Sequence, residues 1–387
     1  MNILYLGYFC NDELFDELVK KGSKGSHARQ QLEKKLLNGI IENIDKETLE
    51  IISYLPETKE VHYEVGESEV YREIKIKYLW CAKNSLTSVV RSLLKNISLI
   101  RKWAKDSDTN IVLTYSANPL HIIPAFLLRR IYRYKVVTLC SEVSVYRRVD
   151  GLGFVGRVSK KISALLDNSF DGYIILTKYM NELVNKKNKP YLVMEGIAQS
   201  FPLAENKDKV QAVFYAGGLS QDNGLEIMLN GFVRLNNSSL KLWICGDGPM
   251  KDIVTDYAAQ YENIEYFGVL SNENVQRMEQ EALVLIAPRF SENEFTKFSF
   301  PSKTIEYMTS GTPVIITRLK GIPEEYFKYA YVLEDETSEG VCELIKKVVN
   351  EDRDILKEKG EEARQFVLNN KNYLTQGEKV LRFLKTV

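Results

Sequence analysis

The sequence predicts an α/β protein built as two Rossmann-like, doubly wound domains facing each other across a cleft. Apolar runs of strand length alternate with amphipathic helical patterns along the whole chain. The runs fall into two sets separated by a polar stretch, Ala198 to Val210, which holds Pro202 and Glu205-Asn206-Lys207-Asp208-Lys209. The length of 387 residues gives each domain enough chain for its own apolar core.

In the first set, strands are expected at Ile3–Tyr8, Leu49–Leu55, Ile74–Trp80, Ile111–Tyr115, Val136–Leu139, Tyr173–Thr177 and Tyr191–Met194. Ile74, Ile76, Tyr78 and Trp80 alternate with Lys75, Lys77 and Leu79, which gives that strand one wetter face. The second set runs Val213–Ala216, Leu242–Cys245, Glu265–Phe267, Leu283–Ala287, Val314–Thr317 and Tyr331–Leu333. Residues 1–200 and 201–370 are therefore read as the two domains. A charged helical tail, 371–387, is expected to cross back to the first.

Bulk composition excludes little but hides an asymmetry. Lys plus Arg balance Asp plus Glu at 52 each, and 44% of residues are hydrophobic, as in soluble globular chains. Yet from Lys83 to Lys161 there are fifteen Lys or Arg against four acids, a net +11 that points to an anionic partner on one domain. Cys10, Cys81, Cys140, Cys245 and Cys342 form no CxxC pair and read as buried thiols in a reducing compartment. Met1 leads directly into a strand pattern, and no apolar stretch reaches the roughly 18 residues of a spanning helix. A cytoplasmic location is the expectation.

The densest chemistry lies between Pro288 and Pro313. After the strand Leu283–Ala287 come Pro288-Arg289, Ser291-Glu292-Asn293-Glu294, Phe300-Pro301-Ser302-Lys303-Thr304-Ile305-Glu306-Tyr307-Met308 and Ser310-Gly311-Thr312-Pro313. Pro301 suits a first helical turn, and Gly311 and Pro313 suit its end. Free amides at the helix start, with Lys303 and Arg289, suit a polyanion, while Glu306 one turn on suits a sugar hydroxyl. A diphosphate carrying a ribose satisfies all of them.

Two glycine turns accompany it. Val213-Phe214-Tyr215-Ala216-Gly217-Gly218-Leu219, followed by Asn223-Gly224-Leu225, is a strand entering a glycine loop before a helix; it reads as a ligand loop or a tight turn. Ile244-Cys245-Gly246-Asp247-Gly248-Pro249 has Lys251 where a dinucleotide fingerprint needs its third glycine, which weakens a dehydrogenase reading.

The order of these pieces, with the Phe267-Gly268-Val269 turn, resembles retaining nucleotide-sugar glycosyltransferases of family 4 with the GT-B fold. The subgroup it looks like is the bacterial one with a Phe-Pro-Ser-Lys signature, used in capsule and exopolysaccharide assembly. The resemblance covers about Val213 to Tyr326. It implies donor contacts from Gly217, Gly218, Phe267, Gly268, Ser302 and Glu306, with Glu306 on the ribose; Arg289 and Lys303 are expected to replace the family's missing cations as the catalytic pair. The donor it implies is a nucleotide sugar, a UDP-sugar first, with no cofactor and no metal. Departures are specific. Gly218 and Asn223 stand where the family carries an arginine and a lysine, and Phe298 stands where it carries the first of two glutamates. Glu294 or Glu292 is the expected substitute for that lost sugar contact.

In the first domain, Lys24-Gly25-Ser26-His27-Ala28-Arg29 occupies the place of the family's glycine-rich loop facing the cleft. Gly25, Ser26, His27 and Arg29 are candidates for donor phosphate or acceptor; an ordinary helix N-terminus capped by Ser26 explains the pattern equally. Glu142, after the strand Val136–Leu139, is either an acceptor-orienting carboxylate or a solvated loop acid. His62 and His121 suggest no metal site, and Asp106-Ser107-Asp108 reads as a turn. The segment Ser88–Lys105 reads as a domain helix with a basic outer face. With Arg129, Arg130, Arg133, Arg147 and Arg148 it offers a second reading, a peripheral surface for an anionic membrane. No nucleic-acid module is present.

The expected function is retaining transfer of a sugar from a nucleoside diphosphate to a glycan acceptor carried on a lipid such as a polyprenyl diphosphate. The alternatives are a non-catalytic glycosyltransferase-like subunit and a GT-B nucleotide-sugar epimerase.

Overall fold

The computed structural model describes residues 1–23, 26–57, 68–82, 86–105, 110–116, 118–143, 154–202 and 209–387. The chain divides into two compact units, Met1–Ile197 with Tyr373–Val387, and Ala198–Asn372.

The first unit holds strands β1 (Asn2–Gly7), β2 (Leu49–Glu57), β3 (Ser68–Tyr71), β4 (Ile74–Ala82), β5 (Asn110–Tyr115), β6 (Lys135–Cys140), β7 (Gly172–Ile175) and β8 (Tyr191–Val193). They form one sheet in the order β3-β4-β2-β1-β5-β6-β7-β8. All neighbours are parallel except β3 and β4, which pair as an antiparallel hairpin. Seven strands match the expected runs. The eighth, β3, was not expected, because its residues alternate between exposed and half-buried and present no apolar run. β1 and β5 are buried almost throughout, as the central strands of a parallel sheet covered on both faces must be.

The last helix, Tyr373–Leu384, belongs to this unit and lies against the helix His27–Glu42. The two backbones meet at Gly39 and Gly377. A Cβ on Gly39 would fall 2.0 Å from the Tyr373 carbonyl oxygen, and one on Gly377 would fall 2.2 Å from the Gly39 carbonyl. Val380, Leu381, Phe383 and Leu384 then join Leu36, Leu37 and Ile40 in one apolar cluster.

The second unit holds β9 (Val210–Ala216), β10 (Lys241–Cys245), β11 (Ile264–Tyr266), β12 (Ala282–Ala287), β13 (Val314–Thr317) and β14 (Tyr331–Leu333). Their order, β11-β10-β9-β12-β13-β14, is parallel throughout and reverses direction between β9 and β12. In open α/β sheets such a reversal leaves a crevice at the carboxyl ends of the strands. The glycine loop after β9 and the Pro288–Arg289 segment after β12 both leave the sheet there.

Candidate functional site

The loops at the carboxyl edge of the second sheet are tied to one another by backbone hydrogen bonds. Gly217 N donates to Cys245 O at 3.0 Å, Leu219 N to Asp247 O at 2.9 Å, and Gly246 N to Gly268 O at 2.8 Å. Gly217 and Gly218 begin the loop. The Gly218 carbonyl accepts from Tyr215 Oη at 2.8 Å and from Asn223 Nδ2 at 2.7 Å. Asn223 therefore braces the loop instead of presenting the cation of the wider family. Gly224 is irreplaceable on geometry. Its φ is +72°, and a Cβ would fall 1.5 Å from Pro288 O. This contact joins the glycine loop to the segment that carries Arg289.

Arg289 is half-buried and its guanidinium stands 5.6 Å from the Phe295 ring centre. Its Nε is buried without a hydrogen-bond partner, and it meets no carboxylate within ion-pair distance among the described residues. Burial pulls its pKa down, against the opposing pull of Tyr215 and Asp222. A desolvated cation with no carboxylate at ion-pair distance is costly, and an anionic ligand removes that cost.

The helix Ser302–Thr309 follows. Pro301 is its N-cap, one position before the first turn where the sequence puts it; its backbone is extended (ψ 111°) and Thr304 N donates to its carbonyl at 3.0 Å. Gly311 ends the helix in the left-handed region at φ +75°, as expected. Thr304, Ile305, Tyr307 and Met308 form its buried face, while Ser302, Lys303 and Glu306 look outward or sit half-exposed. Lys303 Nζ pairs with Glu306 Oε2 at 2.9 Å and lies 5.8 Å from the Tyr307 ring centre. Burial depresses the Lys303 pKa, but Glu306 and Glu279 outweigh it and the net shift is upward. Lys303 is thus held firmly charged.

Phe267 and Gly268 sit on the loop that Gly246 N joins at the Gly268 carbonyl. Phe267 is partly exposed and edges onto Trp243, with ring centres 6.2 Å apart. Gly268, at φ +66°, faces open space. Glu294 is exposed and its carboxylate is held by Lys297. Phe298 is buried.

In the first unit, Gly25 lies outside the described residues, as do His62 and the Asp106–Asp108 run. Ser26 caps the helix His27–Glu42 by accepting from Arg29 N at 3.3 Å. His27 is exposed and packs edge-on against Phe15, an apolar contact. Arg29 lies over the Tyr8 ring at 4.4 Å and 4.0 Å from Glu33 Oε2. Glu142 is exposed after the carboxyl end of β6.

Among the buried carboxyls that escaped the sequence reading are Glu33 and Glu279. Glu33 is fully buried; its Oε1 accepts from Tyr5 Oη at 2.7 Å and Tyr8 N at 2.8 Å, and its Oε2 finds no hydrogen bond. Burial pushes its pKa up to about 7, against Tyr8 N, Arg29 and Tyr5. Glu279 is 2% exposed, and burial pushes its pKa to about 8, with Lys303 opposing and Glu306 assisting. Glu33 shares a helical stripe with Leu36, Leu37 and Ile40, which was the available signal.

Residues 210–351 match the family model described as Glycosyl transferases group 1. The matched residues lie within the second unit. No curated protein matches the chain. Sucrose-phosphate synthase from Thermosynechococcus elongatus aligns over 100% of both chains, with a TM-score of 0.65 and 14% identity. Anabaena HepE in complex with UDP aligns over 100% of both chains, with a TM-score of 0.66 and 10% identity. A mutant of S. aureus TarM, in complex with Fondaparinux, alpha-GlcNAc-glycerol and UDP, aligns over 76% of this chain with a TM-score of 0.55 and 16% identity. The chain spans 58% of that TarM chain's length. At these identities the likeness establishes the fold, which is GT-B. The segment from Pro288 to Pro313 falls wholly within the matched residues.

Proposed function

We propose that the chain is a retaining, metal-independent glycosyltransferase moving a sugar from a nucleoside diphosphate, UDP first, to a glycan acceptor in bacterial surface polysaccharide synthesis. Arg289 carries the reading: a half-buried guanidinium, with no carboxylate at ion-pair distance among the described residues, beside the glycine loop of a glycosyltransferase group 1 domain. The complexes of HepE and TarM with UDP favour that nucleotide.

In this reading the donor diphosphate lies against Arg289, Lys303 and the amides that open the helix Ser302–Thr309. Glycosidic cleavage leaves its electron pair on the diphosphate, and preorganised cations stabilise that developing charge most where water is excluded. Gly217, Gly218, Phe267 and Gly268 line the approach, and Glu306 takes the ribose hydroxyls once the diphosphate competes for Lys303. The acceptor attacks from the face the diphosphate leaves, and a phosphate oxygen takes its proton. Ser26, His27, Arg29 and Glu142 belong to the acceptor side, and the acceptor is carried on a lipid.

Thermal unfolding with UDP and the other nucleoside diphosphates tests the donor site. A ligand at a hundredfold excess over its Kd stabilises by ~2.7 kcal/mol. UDP is expected to raise the Tm of the wild type and not of Arg289→Ala; an unchanged Tm with every diphosphate sinks the reading. Phe298 favours one second reading, a non-catalytic subunit, since it is buried where the family has its first glutamate. Such a subunit transfers no sugar from any donor.

A further inference from the structure

We propose that the helices Leu86–Ala104, Pro119–Tyr132 and Phe154–Leu166 of the first unit form a docking surface for an anionic lipid bilayer. Topology lays them on one face of the sheet. They connect β4 to β5, β5 to β6 and β6 to β7, and each connection advances in the same direction along the strand order. Right-handed crossovers that advance the same way place their helices on the same side. The first of these helices packs on the second, and the second touches the third.

Their charge is of one sign. Together they contain nine Lys or Arg and not one Asp or Glu. A helix that only covers a sheet in water normally carries both signs on its outer face. Arg129 reaches Asp171 at 3.9 Å. Arg91, Lys95, Arg101, Lys102, Arg130 and Lys161 are exposed or nearly so and meet no carboxylate within ion-pair distance among the described residues.

Large apolar side chains stand among these cations. Val90 is 45% exposed, Leu94 62%, Leu127 61%, Ile131 66% and Leu165 79%. On the first helix Thr87, Val90, Arg91, Leu94, Lys95 and Ser98 recur at i, i+3, i+4, i+7, i+8 and i+11, a single outward stripe. Apolar tips and cationic heads therefore leave the protein side by side. A nucleic acid satisfies the cations and leaves Leu94, Leu127 and Leu165 in water. An apolar protein face covers the leucines and strands the charge. A bilayer with anionic headgroups receives both, with leucine tips at the acyl boundary and lysine and arginine at the phosphates.

The surface is independent of the donor site, and its test separates the two. The purified full chain is centrifuged with vesicles of phosphatidylcholine alone, or of phosphatidylcholine mixed with phosphatidylglycerol. Sedimentation with the second and not the first is expected, with release by added salt. Arg91→Glu/Lys95→Glu is expected to lower partitioning on the order of tenfold or more. Leu94→Ser/Leu127→Ser is expected to lower it at unchanged charge. Both variants should keep the wild-type thermal response to UDP, so the absence of that response in every protein indicts the donor reading alone. Absence of vesicle binding, equal binding to both vesicles, or undiminished binding by both variants overturns the proposal. So does retention on immobilised heparin without vesicle binding, or a dimer that Leu94→Ser/Leu127→Ser dissociates.

Discussion

The Tyr307 hydroxyl accepts a hydrogen bond from Ala216 N at 2.8 Å and donates one to Ala216 O at 3.1 Å. One buried side chain thus fastens the helix that bears Lys303 to the last residue of β9, where the glycine loop begins. Both ends of the proposed diphosphate site are referenced to the same residue. Tyr307→Phe removes both bonds and strands a buried amide, which costs about 1–3 kcal/mol. Denaturant unfolding should show that loss, together with weaker UDP binding.

Arg289→Ala should separate function from stability. The guanidinium meets no carboxylate at ion-pair distance among the described residues, so its removal should leave the denaturation midpoint nearly unchanged. Turnover with the true donor should fall about a hundredfold, near 3 kcal/mol in the barrier. Wild-type turnover in the variant removes Arg289 from the mechanism.

Lys303 and Glu306 form a pair whose side chains are 34% and 40% exposed. Screened pairs of this kind contribute at most about 1 kcal/mol to folding. Glu306→Gln should therefore hardly move the Tm, yet raise KM for the donor more than it lowers kcat if the carboxylate holds the ribose. A kcat effect with unchanged KM argues against that role.

Gly224→Ala should fail at the backbone. A φ of +72° costs an alanine roughly 1–2 kcal/mol, before the clash with Pro288 O is counted. Lower stability with a weakened thermal response to UDP is expected. An alanine variant of wild-type stability would show that the contact yields freely.

Glu33 and Glu279 give stability a pH dependence. Below about pH 4.5 each carboxyl is protonated in the folded and unfolded chain alike. Above it the unfolded chain has lost the proton, while the folded chain keeps it to about 7 at Glu33 and about 8 at Glu279. Unfolding then releases protons, so their contribution makes stability fall as pH rises through these windows. For Glu33 the full swing is on the order of 3 kcal/mol. Glu33→Gln should flatten the profile between about pH 4.5 and 7; an unchanged slope shows that Glu33 is ionised in the folded chain.

The second sheet was legible because its strands are buried on both faces and read as unbroken apolar runs, as at Leu283–Ala287. β3 was not, since an edge strand with Val70 70% exposed carries no such run. At the site, Arg289, Lys303 and Gly311 could be read from spacing against prolines and glycines. The Tyr307–Ala216 bonds could not, because they join residues 91 positions apart. Nor could Glu279, whose charge argues for solvent until the helix register places it inward.

The Gly39–Gly377 contact decides how the molecule can be taken apart. Residues 198–372 run continuously in one compact unit and are expected to express as a fragment. A fragment stopping at Ile197 loses the partner that shields Leu36, Leu37 and Ile40, and should come out of the cell aggregated. Grafting 373–387 back through a short peptide, or supplying it in trans, is the way to recover a usable first half.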